Sequence, residues 1–526
     1  MSNRNRFIGL AAAVIGVLVA VSPAMARKVD DDLQTAVNND DIAAAKAALA
    51  KHANPNALEA DGSAPLAWAA DRQDTQMIGL LLKAGAKTNA GSAIPLVLAC
   101  ENANDAIVSE LLDAHADVNA HRADGVTAFH LCAARAGARN VVRMVESGAS
   151  LEAADSEGQT PLMFAASAGN VDNLDVLISV SANVNAAAKS GFTPLFFAAK
   201  SKDPEVVQQL LDFGANVGYS APDGTTALQL AMYDNDVPVA TLLVQHGASL
   251  TAWDINGKQP LHVAVADGDA DLAKLMIAKG ADLEGLTRLP YRVDPGTDKR
   301  KAGARPVDAQ APAGNDANVN EAAAKKITDQ RGGGGGGSAP RDPVYYDTAK
   351  LGYEPKLVLG QLDWAGSVAD PAPPTTPLLA AAAAGQAGTM KVLVDAAAKK
   401  DFSTDDGNTV LLAAVSSGNL DAVKYALSIA PNIKVARKDG TTVMHIAIAD
   451  ANRGVDEAKT SVEDVEALIK FLADNGADLN AKTSRGQTPS DTAARGEPEI
   501  QTFYAQLLQA HSAQSGKDTS KKNPAS

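Results

Sequence analysis

The stretch GQTPLMFAASAGNVDNLDVLISVSANVNAAAKSGFTPL, from Gly158 to Leu195, decides the fold. It opens on a glycine and a Thr-Pro-Leu step, runs through alanine-rich and leucine-rich segments, and returns to a second Thr-Pro-Leu step. The leading glycine recurs every 33 residues, at Gly125, Gly158, Gly191, Gly224 and Gly257. A fixed period in this range predicts a solenoid, because one unit is too small to bury its own apolar face and must stack on its neighbours.

Within one unit, the residue types predict a turn followed by two short helices. Gly158 permits a turn conformation that a residue with a Cβ resists. Thr160 and Pro161 suit the start of a helix, because threonine caps free N–H groups and proline is set for the first turn. Gly169 ends this helix, and the apolar residues of 174–178 predict a second one. The chain is therefore predicted to be all-α.

On these motifs the chain resembles the ankyrin repeat family, in which a hairpin finger precedes two antiparallel helices. A second series of the turn glycine recurs at Gly407, Gly440 and Gly486. The resemblance covers most of residues 30–286 and 373–511. It implies an ankyrin-type solenoid of about twelve repeats, eight in residues 27–286 and four in residues 373–511. It also implies a binding surface on the concave side, formed by the finger tips and the inner ends of the first helices.

Several segments depart from the repeat pattern. The repeat near Gly62 is about three residues short, which predicts a smaller finger. Thirteen residues beyond one period, around 452–465, predict a longer loop between two helices. Residues 30–60 lack the turn glycine and are interpreted as an N-terminal cap. Residues 483–511 carry polar residues at core positions and are interpreted as a C-terminal cap, followed by a disordered tail at 512–526.

The N-terminus has the composition of a cleaved signal peptide. Two arginines precede an apolar stretch, residues 7–21, which is short for a membrane span, and a small-residue Ala-Met-Ala step follows. Residues 1–26 are therefore predicted to be removed by cleavage between Ala26 and Arg27, which leaves no stable membrane span. A retained membrane anchor is the alternative. The mature protein is expected in the periplasm or outside the cell.

The charge balance argues against a nucleic-acid partner. The chain has 47 Lys and Arg against 62 Asp and Glu, a formal net charge of −15, and loss of the two signal arginines makes it more negative. An acidic chain repels phosphate backbones. We therefore expect that the partner is not a nucleic acid. The expected partner is a protein, and this protein itself is expected to be monomeric.

The two cysteines, Cys100 and Cys132, hold alanine-type core positions in neighbouring repeats. One interpretation is two small buried thiols, since free cysteine behaves as a small hydrophobe. The other is an inter-repeat disulfide, which requires Cα atoms within about 7 Å. Both interpretations are open from the sequence.

A long insert interrupts the repeats at residues 287–372. From Gln259 to Thr376 the chain runs 117 residues, which is one period and 84 more. Either the solenoid continues across an insert extruded from a finger, or two solenoids are tethered. Proline, glycine and charge in residues 289–340 predict a flexible segment. Aromatic residues in 343–366 predict an ordered segment that packs on the solenoid or waits for a partner.

The sequence has no motif for catalysis, a metal or a cofactor. It contains no HExxH, GxxxxGK[ST], GxSxG or CxxCH pattern. His130, His262 and His445 occupy the histidine position of the Thr-Pro-Leu-His step, which braces the finger in the ankyrin family, so we interpret them as structural. We therefore expect no cofactor and no enzymatic activity. An enzyme would need a site built from the insert.

Outward positions implied by the resemblance give a candidate partner-binding surface. Its proposed centre is Phe192, Tyr233 and Trp253, with Tyr219 nearby, because aromatic residues dominate binding energy at interfaces. The other candidates are Lys189, Gln159, Asp234, Ile255, Asn256 and Lys258. In the alternative interpretation the aromatics cover one another, or the insert covers them, and they stabilise the fold.

Two function classes fit these features. One is an exported scaffold or adaptor that binds another protein of the cell envelope. The other is a secreted effector that acts on a foreign protein by binding it. Both require a binding surface and no reaction centre.

Overall fold

The computed structural model describes residues 23–254, 256–288, 373–456 and 461–520. These residues form 24 α-helices, which follow one another as 12 pairs that we number repeats 1 to 12. Within the same ranges, β-structure is confined to four isolated bridges at the bases of fingers. The prediction of an all-α solenoid with about twelve repeats is confirmed.

The first eight repeats precede the insert and have similar helix lengths. Their helices are α1 (Pro23–Asn38), α2 (Ile42–Ala50), α3 (Pro65–Asp71), α4 (Thr75–Lys83), α5 (Pro95–Glu101), α6 (Asp105–Asp113), α7 (Ala128–Arg135), α8 (Ala138–Glu146), α9 (Pro161–Ala168), α10 (Val171–Ser179), α11 (Pro194–Ser201), α12 (Pro204–Asp212), α13 (Ala227–Tyr233), α14 (Val237–Gln245), α15 (Pro260–Asp267) and α16 (Ala270–Ala278).

The last four repeats follow the insert. Their helices are α17 (Pro377–Ala383), α18 (Ala387–Asp395), α19 (Val410–Ser416), α20 (Leu420–Ile429), α21 (Val443–Asp456), α22 (Val462–Asp474), α23 (Pro489–Ala493) and α24 (Pro498–Ser520). No helix in the described ranges is both long enough and apolar enough to cross a bilayer.

Side-chain caps define where the helices begin. Thr127, Thr226 and Thr488 each form a capping box at the start of a first helix. Aspartate or asparagine caps most second helices, as Asp74 does by accepting the N–H of Met77 at 3.0 Å. These short side chains satisfy N–H groups that a helix leaves unpaired in its first turn. The Thr step therefore fixes the start of the first helix in those repeats in which its side chain forms the cap.

Stacking of first helices builds one continuous core. In α9, Leu162 and Ala165 are fully buried between the neighbouring helices α7 and α11. The buried cluster runs from Leu33 in α1 to Tyr504 in α24. Alanine at these positions lets the next helix approach closely, which explains how a chain with 4% aromatic residues fills its interior.

The three Thr-Pro-Leu-His histidines tie each repeat to the next. The Nε2–H of His130 donates to Gln159 O at 3.0 Å, and that of His445 donates to Gln487 O at 3.1 Å. Each acceptor lies directly before the N-cap of the following repeat. The predicted structural role of these histidines is confirmed.

Repeats 8 and 9 stack on each other although the insert separates them in sequence. His262 Nε2 makes the same bond to Thr375 O, at 3.1 Å. Thr389 Oγ1 donates to Val265 O at 2.8 Å, and the described residues on both sides of the insert belong to one compact unit. The solenoid therefore continues across the insert. Both predictions about the insert itself, for 289–340 and 343–366, fall outside the described residues.

The insert takes the place of a finger tip. Thr287 N donates to Thr375 O at 3.0 Å, which corresponds to the finger bond from Asp155 N to Gln159 O at 3.1 Å. Asp155 and Gln159 are four positions apart in the sequence. Thr287 and Thr375 would also be four positions apart if the 84 extra residues were removed. The base of this finger is thus normal, and the chain leaves from its tip.

The short second finger is confirmed, but two other local predictions are wrong. Eleven residues separate α4 from α5, against 14 between α8 and α9. The extra residues of repeat 11 mostly lengthen helices rather than a loop: α21 and α22 have 14 and 13 residues, against 7 and 10 in α19 and α20. The stretch contains no proline, so both helices can extend into it. The predicted disordered tail is helical as far as Ser520.

Cys100 and Cys132 form a disulfide between repeats 3 and 4, with their Cα atoms 4.8 Å apart. Of the two interpretations open from the sequence, the disulfide is the one that the structure contains. The bond joins the first helices α5 and α7.

Candidate functional site: the solvent face of the first helices

First helices in the middle of the stack bury all but one face. In α9, Leu162, Met163 and Ala165 are buried, whereas Phe164, Ser167 and Ala168 contact solvent. These three positions lie four, seven and eight residues after the N-cap, and such spacing places them on one side of a helix. Equivalent positions in the other repeats extend this face from one repeat to the next.

Large apolar side chains occupy the fourth position after the N-cap in repeats 2 to 8. We call this set the inner-face column: Trp68, Leu98, Leu131, Phe164, Phe197, Leu230 and Val263. Leu131 and Leu230 are buried, and the other five are half-exposed. Repeats 9 and 10 have Ala380 and Ala413 at this position. Repeat 11 has Ile446 there, which is buried, so the half-exposed large apolar side chains at this position lie in the repeats before the insert.

Ring contacts hold the aromatic members of the column in place. The Phe164 ring lies edge-on to His130, with centroids 5.0 Å apart. The Phe197 ring lies 6.5 Å from Phe192 in a similar T-shaped arrangement. Side chains fixed in this way lose little conformational entropy when a partner covers them.

A tyrosine and a pair of opposite charges flank the column in repeats 6 and 7. Tyr233 is 73% exposed at the end of α13, the largest exposed fraction among the big apolar side chains of the described ranges. Partial burial lowers the pKa of Lys200, and the nearby Asp234 carboxylate opposes that shift. The flank thus offers a large aromatic surface beside charged groups, which is a typical composition for a protein interface.

Phe192 does not lie on this face, which corrects the predicted binding centre. Its side chain is only 9% exposed and stacks on Phe196 at 4.9 Å. An apolar side chain directly before the N-cap is buried, as Val126 also is. Lys258, a charged residue at the same position, is exposed. Tyr219 is half-buried with its ring 6.0 Å from Phe196. Phe192 and Tyr219 therefore belong to the fold.

Trp253 is also covered. The guanidinium of Arg288 lies 3.4 Å from the centroid of its ring, a cation–π contact that reaches across to the finger where the insert begins. The predicted patch of Phe192, Tyr233 and Trp253 is thus not one exposed surface. Of the three, only Tyr233 is exposed.

The remaining predicted residues are scattered over fingers and helix ends. Lys189 is exposed and donates from Nζ to Ser156 O at 2.6 Å, while Gln159 is half-buried and accepts the His130 bond through its carbonyl. Asn256 and Lys258 are exposed finger residues whose N–H groups bond to the carboxylate of Asp254. Asp234 lies beside Tyr233 at the end of α13, and Ile255 falls outside the described residues.

Sequence reasoning missed the inner-face column. The signal was present, because every member lies four residues after the position of the Thr step. Reading the chain by columns across repeats, instead of by aromatic residues at finger positions, would have found Phe164 and Phe197. The described ranges contain no group of three or more His, Cys, Asp or Glu side chains that could hold a metal ion.

Comparison with known protein families agrees with this architecture. The family model described as ankyrin repeats in three copies matches the chain at residues 33–122, 96–188, 129–221, 195–285 and 378–456. The comparison with curated proteins finds no match. The family matches cover more than half of the sequence and fall on the same helix pairs. The chain belongs to the ankyrin repeat family.

Proposed function

We propose that this protein is an exported adaptor that binds a partner protein across the inner-face column of repeats 2 to 8. Ankyrin repeats are generally protein–protein interaction modules, and proteins built from them are typically scaffolds without catalytic activity. The observation that carries the proposal is a series of large apolar side chains at one equivalent position of repeats 2 to 8, five of which are half-exposed.

The chemistry of the column favours a protein over a small molecule. Contiguous apolar side chains on a soluble surface mark a place where another surface buries them. The column extends over seven repeats, whereas a small ligand would need a concave pocket that encloses it. The partner is accordingly expected to carry an apolar ridge that contacts several repeats at once.

Tyr233 is the residue expected to contribute most to affinity. It combines a large apolar ring with a hydroxyl group, and tyrosine is enriched among residues that dominate binding energy. Its exposed fraction of 73% leaves most of the ring available to a partner. Phe213, 48% exposed at the end of the second helix α12, offers a matched aromatic residue away from the column.

The structure is compatible with cleavage of the signal peptide, and the disulfide supports export. Cleavage between Ala26 and Arg27 would fall within α1 but would retain Leu33, Ala36 and Val37, which form its buried face. The Cys100–Cys132 disulfide is a bond that persists in oxidising compartments such as the periplasm. Fractionation of the native host should therefore recover a protein that begins at Arg27 outside the cytoplasm. Recovery of uncleaved protein in the cytoplasmic fraction would overturn this part of the proposal.

The binding proposal can be tested with a pair of matched variants. Immobilised protein lacking residues 1–26 is exposed to envelope extract of the native host, and retained proteins are identified by mass spectrometry. Tyr233→Ala should weaken capture of the specific partner by about fivefold or more, the effect of losing more than 1 kcal/mol at an interface. Phe213→Ala should leave capture unchanged. Equal losses in both variants, or none in Tyr233→Ala, would contradict the proposed surface.

A further inference from the structure

The disulfide between repeats 3 and 4 lies inside the stack of first helices. Both Cys100 and Cys132 are 0% exposed. Helix α5 packs between α3 and α7, and α7 packs between α5 and α9, so helices cover the bond from neighbouring repeats on each side. Reagents in solution have no direct access to either sulfur in this arrangement.

A buried amide fastens the covering repeat onto this region. Asn173 of repeat 5 is fully buried and donates from Nδ2 to the carbonyl oxygens of Ala133 at 3.0 Å and Ala136 at 2.7 Å. A third contact, at 3.3 Å, reaches the carbonyl of Cys132 itself. These bonds close the C-terminal end of α7, the helix that carries Cys132. Repeat 5 therefore keeps this end of α7 covered while the two repeats remain stacked.

We infer that the Cys100–Cys132 disulfide is a redox lock that opens and closes only when repeats 3 and 4 separate. Its redox state is then set while the chain folds and is preserved once the repeats have stacked. The chemistry is thiol–disulfide exchange, which requires a thiolate to reach a sulfur atom along the S–S axis. A native stack with both sulfurs buried prevents this approach.

The electron balance of closure and opening is simple. On closure, one cysteine thiolate attacks the disulfide of an oxidant, a protein disulfide or oxidised glutathione, and expels one of its sulfurs as a thiolate. The second cysteine thiolate attacks the resulting mixed disulfide and expels the other sulfur. The two cysteines lose two electrons, and the oxidant leaves as two thiols after taking up two protons. Opening by dithiothreitol is the reverse, with the reagent oxidised to its cyclic disulfide.

The lock fixes part of the inner-face column. Leu98 lies two residues before Cys100 on α5, and Leu131 lies directly before Cys132 on α7. A covalent bond between these helices limits how far the two column residues can move apart. This consequence depends on the proposed function, but the lock itself does not, since it is tested without any partner.

The test measures how fast dithiothreitol reduces the folded oxidised protein. Samples are quenched with an alkylating reagent, and mass spectrometry counts the modified cysteines. We expect native protein to be reduced at least tenfold more slowly than protein unfolded in urea. Below the unfolding transition, the rate should rise with urea concentration, because urea increases the population of the open form. Native reduction as fast as in unfolded protein, independent of urea, would overturn the inference.

Two equivalent helix caps provide a matched comparison. Thr127 caps α7, which carries Cys132, and its Oγ1 lies 2.8 Å from the Nδ1 of His130. Thr442 in repeat 11 is related to His445 in the same way, at 2.9 Å. Thr127→Ala should speed reduction about fivefold, the effect of losing one helix cap. Thr442→Ala should leave the rate unchanged, because repeats open locally. Equal acceleration in both variants would contradict a local lock. If either variant fails to fold, the urea dependence of the parent protein alone tests the inference.

Discussion

Restoring a normal finger between repeats 8 and 9 should stabilise the protein. The hydrogen bond from Thr287 N to Thr375 O closes a loop that runs from 288 to 374, whereas the corresponding bond in repeat 5 encloses only three residues. Deleting residues 289–372 returns the distance from Gln259 to Thr376 to one 33-residue period. The perturbation therefore removes the insert and leaves the stacked repeats unchanged.

The expected gain follows from loop-closure entropy. The cost of closing a flexible loop grows as 1.5 RT times the logarithm of its length, so a loop about thirtyfold longer costs about 3 kcal/mol more when it is flexible throughout, and less when part of it is ordered. Part of this gain requires a suitable turn. The third residue inside the finger is Gly158 in repeat 5, with φ of 77°, but Pro374 next to the insert. Proline cannot adopt a positive φ, so the deletion should be combined with Pro374→Gly.

Chemical denaturation followed by circular dichroism measures the outcome. The deletion with Pro374→Gly should retain the helical signal of the parent repeats and unfold at higher urea concentration. The same deletion with Pro374 retained is the control and should gain less. If the deletion variant loses helical signal, or if its two repeat blocks unfold separately while those of the parent do not, repeats 8 and 9 are not stacked in register.

Three further changes follow from individual contacts. Gln259→Thr should raise the free energy of unfolding by about 1 kcal/mol. Gln259 gives α15 no side-chain cap, and the buried Nδ1 of His262 has no hydrogen-bond partner. An unchanged urea midpoint would contradict this prediction. Burial lowers the pKa of His130 and His262 below the ordinary 6.5, so the folded state binds protons less readily than the unfolded state. Stability should therefore be intact above pH 6.5 and decline as the pH falls below it. Replacing both histidines by glutamine, which repeat 7 carries naturally as Gln229, should flatten the decline between pH 7.5 and 5.5, and an undiminished decline would refute the assignment. Phe192→Ala should lower the free energy of unfolding by about 3 kcal/mol in urea denaturation without weakening partner capture, whereas weaker capture at unchanged stability would return Phe192 to the binding surface.

The repeat architecture could be predicted because its determinants are local. A glycine that needs positive φ, a threonine that caps a helix and a proline in the first turn each act within a few residues. The period then fixes which residues face the core. The histidine at the Thr-Pro-Leu-His step forms a hydrogen bond to a carbonyl group of the next repeat. In the structure, His262 makes this contact with repeat 9, because its acceptor Thr375 lies beyond the insert.

The candidate site was harder to predict because exposure depends on neighbours. Phe192 and Lys258 hold the same repeat position, yet Phe192 is buried against Phe196 and Lys258 is exposed. Trp253 is covered by Arg288, a residue whose position is set by the fold of the next finger. Repeat 11 likewise extended its helices where a loop was predicted. Such outcomes depend on tertiary packing, which a single sequence does not display.

The most direct test of the proposed function places a photo-crosslinking amino acid at one surface position and asks what it contacts in the living cell. Incorporated in place of Tyr233, it should give a discrete crosslinked product in the native host, and mass spectrometry should identify one envelope protein in that product. Incorporated in place of Phe213, on the second-helix side of the adjacent repeat, it should give no such product. A specific product at 213 with none at 233 would show that the partner binds elsewhere and would contradict the inner-face column as the binding surface.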